Sequence, residues 1–247
     1  MISLRCTNPV ELKNKTLVMV KLFLNQPAPN SVAFLGQLAI DLLIHNFGFT
    51  RVGIFNSPFV EPISGSRVYS GDDDQIYTAF ELYRSDQYDF LIAQIRSPVS
   101  TGFAIQFAKS FAEWVQKNEM KLFILTGFDK RRRDDEQLRS NQLYYHSTEL
   151  SLTQYGVNEI IKELDGSDYA SRLPFGAGVS RFIIHELGHK NYTVLGYFTE
   201  EGDNLDPALQ LVEVTGKAFN LSFPKQLKYP ASWAALYGPQ IDFKELF

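Results

Sequence analysis

The sequence predicts an α/β fold: a single domain with a mixed, mostly parallel central sheet flanked by helices, followed by a flexible C-terminal tail. Short apolar runs rich in Val, Ile and Leu alternate with longer segments of helical period, the pattern of βα units. The strand-like runs are apolar on both faces, as in sheets covered by helices on either side. No repeat, low-complexity tract or long linker divides the 247 residues. Residues 1–238 therefore read as one domain and residues 239–247 as the tail.

The first strand is expected at Thr16–Phe23, an apolar run with β-branched residues. Pro27 and Pro29 mark a loop, and Ser31 is placed to cap a helix running to about Phe47. In that helix Gln37, Asp41 and His45 recur every four residues, so they form one narrow polar stripe on an otherwise apolar rod. Gly48 ends it. Strands follow at Arg51–Phe55, Ile76–Tyr83 and Phe90–Arg96. A helix over Gly102–Asn118 aligns Phe103, Phe107, Phe111 and Trp114 on one face for the core, with Lys109, Glu113, Gln116 and Lys117 away from it. Leu122–Thr126 is the next strand, and 127–147 reads as a long polar loop. Val179–Gly188 is helical and Tyr192–Phe198 a strand. Asp206 is expected as an N-cap with Pro207 at the first helical position, opening a helix to about Phe219. A short helical piece at Ser232–Tyr237 precedes the tail, which starts at Gly238-Pro239.

Composition narrows the function classes. Hydrophobic residues make up 45% and aromatics 14%, with 20 Phe, enough for a sizeable core. The formal net charge is −4, without the basic excess that a nucleic-acid binder uses to displace counterions. The one basic run, Lys130-Arg131-Arg132-Arg133, meets Asp134-Asp135-Glu136 at once and reads as a solvated zwitterionic loop. A lone Cys6 allows neither an intramolecular disulfide nor a cysteine zinc cluster and fits a reducing compartment. The first residues lack the apolar core of a signal peptide. Val32–Phe47 is too interrupted by polar residues to span a bilayer. A soluble protein of the cytoplasm, and secondarily of the nucleus, is expected, with no cofactor, no bound metal, no nucleic acid and no membrane as partners.

Four local patterns bear on chemistry. His185-Glu186-Leu187-Gly188-His189 is an H-E-x-x-H run, in which two His one helical turn apart would bind Zn²⁺ and the Glu would serve as base toward the metal-bound water. Glu213 is at a spacing suited to a third ligand. Gly188 and the strand expected from Tyr192 instead point to a helix end inside the motif. The Arg172–Val179 turn carries Gly176 and Gly178 and opens a helix, where backbone N–H groups could receive an anion; it is neither a P-loop nor a G-x-G-x-x-G turn. Glu200, Glu201, Asp203 and Asp206 form one acidic cluster and Gly71-Asp72-Asp73-Asp74 another, both without EF-hand spacing and both read as solvated turns. No nucleophile triad stands out.

Several segments in order resemble the proteasome assembly chaperone 2 family: Gly36-Gln37-Leu38-Ala39-Ile40-Asp41-Leu42-Leu43, Asp135-Glu136-Gln137-Leu138-Arg139-Ser140, the Arg172-Leu173-Pro174 to Gly178 turn, Glu201-Gly202-Asp203-Asn204-Leu205-Asp206-Pro207-Ala208-Leu209 with Leu211-Val212-Glu213, Pro230-Ala231-Ser232-Trp233, Leu236-Tyr237-Gly238 and the closing Leu246-Phe247. The resemblance implies an α/β fold and no enzymatic activity. It also implies a heterodimer with proteasome assembly chaperone 1 and binding to proteasome α-subunits. Through these the chain would promote α-ring assembly and block premature activator binding. Family tails often close as hydrophobic–Tyr–X; Leu246 and Phe247 resemble this with Phe in the Tyr place and nothing after it. They are the expected partner-binding residues. A zinc metallopeptidase using His185, Glu186 and His189 is the alternative. A phosphorylase-like or hydrolase-like enzyme with an anion at Gly176–Gly178 is a third reading.

Overall fold

Nine strands order as β1-β3-β6-β7-β2-β8-β11-β9-β10 in one sheet. The computed structural model describes residues 1–7, 9–20, 34–66, 68–69, 75–160, 173–174 and 176–235. The elements in chain order are β1 (Ser3–Cys6), β2 (Thr16–Val20), α1 (Leu35–Asn46), β3 (Thr50–Asn56), β4 (Ser64–Ser66), β5 (Ile76–Thr78), β6 (Phe80–Arg84), β7 (Phe90–Ile95), α2 (Ala104–Lys117), β8 (Lys121–Asp129), α3 (Asp135–Arg139), β9 (Leu143–Ser147), β10 (Asn158–Glu159), α4 (Ser180–Glu186), β11 (Tyr192–Thr199) and α5 (Leu205–Ala218).

The expected α/β class holds. The parallel character is concentrated in the centre, where β7, β2, β8 and β11 all run the same way. Their side chains are almost continuously buried, as two-sided coverage requires. β2 sits between β7 and β8, with Thr16 opposite both Phe90 and Lys121. Antiparallel neighbours β6, β3 and β1 extend one flank, and β9 lies antiparallel to β11 on the other.

Alternation along β6 separates the two faces. Phe80 packs against Phe107 and Phe111 of α2, with centroids 6.4 and 6.0 Å away. Glu81 and Tyr83 point to the other face, where the Tyr83 hydroxyl donates to Glu81 at 2.7 Å. α2 packs with α4 on the first face and α1 with α5 on the second. The α2 stripe is core as expected for Phe107, Phe111 and Trp114, whereas Phe103 at its start is exposed. Burial of each of the two Phe rings contributes on the order of 2–3 kcal/mol.

The polar stripe of α1 turns inward. Asp41 is buried. It accepts hydrogen bonds from the Tyr69 hydroxyl at 2.7 Å and from Gln94 at 2.8 Å, and it pairs with Arg96 at 3.0 Å. Gln37 donates to the Ile95 carbonyl at 2.7 Å. The stripe thus meets polar groups at the end of β7, which removes the cost of burying them unpaired.

Several expectations need correction. Ile76–Tyr83 is not one strand: among the described residues β5 pairs with β4 apart from the main sheet, and β6 begins after Ala79. Residues 127–147 are not a loop, because β8 continues to Asp129, a 3-10 turn and α3 follow, and β9 joins the sheet between β11 and β10. β1 and β10 were not foreseen. α5 starts at Leu205 with Asn204 before it, so Asp206 lies inside the first turn instead of capping it. The terminal helical piece is a 3-10 turn over Ala231–Ala235. The expectations for 21–33, including Ser31, for Gly71–Asp74, and for the tail with Leu246 and Phe247 lie outside the described residues.

Candidate functional site

The H-E-x-x-H run does not lie on one helix. α4 ends at Glu186, and Gly188 and His189 adopt φ of 64° and 58°. His189 is therefore past the helix end, although its ring stands edge-on to His185 with centroids 5.9 Å apart. Glu213 belongs to α5 on the opposite face of the sheet and pairs with Lys217 at 2.6 Å. Among the described residues no group of three or more His, Cys, Asp or Glu is arranged to hold a metal ion. Among the described residues the arrangement lacks both the rigid helical turn and the third ligand that a catalytic zinc needs.

The glycine-rich turn packs at the carboxyl end of β8. Gly176 has φ of 91°, and a Cβ there would stand 2.6 Å from the Asp129 amide nitrogen. Its glycine is thus explained by a left-handed backbone and close packing. Arg172 and Phe175 of this turn lie outside the described residues.

The charged runs beside it are structural. Asp129 takes Arg131 in an ion pair at 2.6 Å, and Lys130 pairs with Glu200 at 2.5 Å. Arg133 is half-buried: its guanidinium lies 4.1 Å over the Phe198 ring and 5.0 Å over Tyr144, and donates to the Tyr144 hydroxyl at 3.1 Å. Burial raises the Tyr144 hydroxyl, but hydrogen bonds from Arg133 and Asn158 outweigh it and hold its pKa below the ordinary value. Asp134 caps α3, accepting from the Gln137 amide at 2.8 Å while the Gln137 side chain accepts from the Asp134 amide at 3.2 Å. In the acidic turn Asn204 donates to the carbonyls of Glu200 and Gly202 at 3.1 and 3.0 Å. These bonds organise a turn into α5.

Exposed apolar side chains gather elsewhere. At the carboxyl edge of the parallel strands, Phe34 before α1 is 60% exposed, and Phe103 and Ile105 at the start of α2 are 45% and 50% exposed. Phe59 lies 6.0 Å from Phe103. On the α1–α5 side, Ile63 and Ile76 flank the β4–β5 hairpin at 46% and 63% exposure.

A strap from Leu221 to Ala235 runs over that same side. Phe223 sets its ring edge-on to Phe47 at 5.2 Å. Asn46, at the end of α1, donates to the Lys228 carbonyl at 2.9 Å and accepts from the Lys228 amide at 2.7 Å. Tyr229 stacks on Trp233 at 5.7 Å, and the Ser232 amide donates to the Val68 carbonyl at 3.2 Å.

A sequence model of the PAC2 family matches residues 29–229. The chain belongs to the PAC2 family. Similar relatives include Proteasome assembly chaperone 2 from Homo sapiens, 26% identical over 84% of this chain and 89% of that protein. The Mus musculus protein of the same name is 26% identical over 92% of this chain and 93% of its own length. Among solved structures, a protein with unknown function from Thermoplasma acidophilum has a TM-score of 0.59 at 15% identity, covering 87% of this chain and 80% of that one. It shares the fold.

In this PAC2 chain, what the structure adds to the sequence reading is surface and strap. Phe34, Ile105 and Ile76 follow no periodic pattern that marks them for exposure. Asn46 and Lys228 are far apart in sequence, and only a two-way side-chain to backbone bond identifies them. Trp233 packs partly buried against the core and stacks with Tyr229.

Proposed function

We propose that this PAC2 family member is a proteasome assembly chaperone that acts without catalysis. It pairs with proteasome assembly chaperone 1, binds the α-ring of the immature core particle, promotes α-ring assembly and blocks premature activator binding. It works in the cytoplasm and the nucleus, and Leu246 and Phe247 contribute the docking tip. The observation that carries this reading is the likeness to proteins named Proteasome assembly chaperone 2 along most of both chains. The geometry agrees with it: the H-E-x-x-H run breaks at the end of α4, the described charged runs are used in the fold, and apolar side chains are presented at two surfaces.

The test is co-expression with proteasome assembly chaperone 1 followed by binding to proteasome α-subunits. A complex of the two chaperones that captures α-subunits is expected, and failure to form it overturns the reading. Deleting Leu246 and Phe247 should then weaken binding strongly. Burial of Phe247 is worth about 2 kcal/mol. The partner's own tail is best removed in the same experiment, so that it does not mask the loss.

A further inference from the structure

We infer that Tyr69 is a plug that joins the β4–β5 hairpin and the 3-10 turn at Ala231–Ala235 into one cooperative unit, which opens as a whole while the nine-stranded sheet stays closed.

Val68 and Tyr69 are consecutive, and each serves a different element. The Tyr69 side chain is buried. Its hydroxyl donates to Asp41 of α1 at 2.7 Å and accepts from Arg96 at 2.8 Å. Its ring stacks on His45 of α1 at 5.8 Å and stands edge-on to Tyr77 of β5 at 5.7 Å and to Tyr83 of β6 at 6.4 Å. Val68, also buried, accepts from the Ser232 amide of the 3-10 turn at 3.2 Å. One residue therefore holds the turn, and the next fills the polar cluster beneath the hairpin.

The hairpin leans on the same ring. Arg96 lies over both Tyr69 and Tyr77, at 5.5 and 5.8 Å. Ser64, Gly65 and Ser66 of β4 are exposed, and a two-stranded ribbon is marginal on its own. Its order thus depends on the packing of Tyr77 against Tyr69. When the Tyr69 ring withdraws, Tyr77 loses that packing and the carbonyl that Ser232 needs moves with the same stretch of backbone.

Withdrawal leaves no charge stranded. Asp41 still accepts from Gln94 at 2.8 Å and pairs with Arg96 at 3.0 Å. The opening costs the bonds and packing of one aromatic side chain and its neighbours. Opening the sheet costs more, because β2 and β8 are buried along almost their whole length. Low-cost openings of this kind run through contiguous cooperative units. By linkage, whatever orders the hairpin also orders the turn.

The experiment is native-state hydrogen exchange of the full chain, read by NMR at graded low urea. The reporters are the Ser232 amide and the Thr78 amide, which donates to Glu81 at 2.9 Å. Both are expected to exchange through one opening, with the same urea dependence, shallower than that of the β8 amides because less surface is exposed. Tyr69→Phe keeps the ring and loses both hydroxyl bonds. It is expected to speed Ser232 and Thr78 by the same factor, about tenfold for a hydrogen bond to a charged group, although Ser232 itself bonds to Val68. The Gln137 amide of α3, which bonds to Asp134, should keep its rate. Different urea dependences for Ser232 and Thr78, or acceleration of Thr78 with Ser232 unchanged, would overturn the inference.

Discussion

Asp41 of α1 and Arg96, just past β7, form an ion pair at 3.0 Å in which the carboxylate side chain is 9% exposed and the guanidinium 16%. Arg96 also donates to the Tyr69 hydroxyl at 2.8 Å and lies over the rings of Tyr69 and Tyr77. A second buried pair stands nearby, where Arg51 meets Glu81 at 2.6 Å and the Thr78 amide donates to the same carboxylate at 2.9 Å. Together they fasten the excursion between β3 and β6 onto the sheet.

Removing one partner strands the other. Asp41→Ala should destabilise the fold by about 3–5 kcal/mol, because Arg96 is left buried and uncompensated. Asp41→Ala combined with Arg96→Met should recover part of that loss. Urea midpoints of the two single variants and the double variant check this; strictly additive losses would show that the two groups are not coupled.

Alkaline pH should weaken the same region. Burial, then the carboxylates of Asp41 and Glu81, hold the Tyr69 and Tyr83 hydroxyls above the ordinary phenol range. The unfolded chain releases these protons near pH 10, while the native state retains them. Their contribution is complete below about pH 10 and declines as the pH rises further. Denaturation midpoints should fall in that window, with tyrosinate absorbance rising as the protein unfolds. Tyr69→Phe should flatten the slope. Ordinary phenol titration in the folded protein would contradict the assignment.

Gly196 of β11 lies beneath the Phe128 ring, where any Cβ would overlap it. Gly196→Ala should cost about 1–3 kcal/mol by overpacking. Phe128→Leu in the same chain should relieve part of that cost. Thermal melts of the single and double variants decide it.

Asn46→Ala should cost about 1 kcal/mol, since two modest hydrogen bonds at the surface are lost. Hydrogen exchange at the Lys228 amide should accelerate while amides of β8 stay protected. Unchanged exchange at Lys228 would mean that Asn46 does not hold the strap.

The central fold was legible because β2, β7, β8 and β11 are apolar on both faces and α2 shows a clear helical period. What escaped depended on contacts distant in sequence. β1 alternates polar and apolar but is only four residues long, and its pairing with Gly53–Asn56 identifies it as a strand. β9 was hidden because Leu143–Ser147 mixes Tyr, His and Ser, although Leu143 and Tyr145 are buried where the strand pairs with β11. The Lys130–Arg133 run looked solvated because sequence does not reveal that Phe198 and Tyr144 receive Arg133. Of the candidate sites, the break in the H-E-x-x-H helix was readable from Gly188, whereas the anchoring of the strap was not.

The place of β2 between β7 and β8 has a consequence for how the chain is made. Thr16–Val20 emerges early from the ribosome, yet its neighbours Phe90 and Lys121 are synthesised much later. Until then the most apolar strand of the sheet has neither edge paired. Closing such distant pairings is slow, and an unpaired apolar strand is prone to wrong association while it waits. A protein proposed to guide the assembly of others thus exposes, during its own synthesis, an unpaired strand of the kind that general folding factors shield.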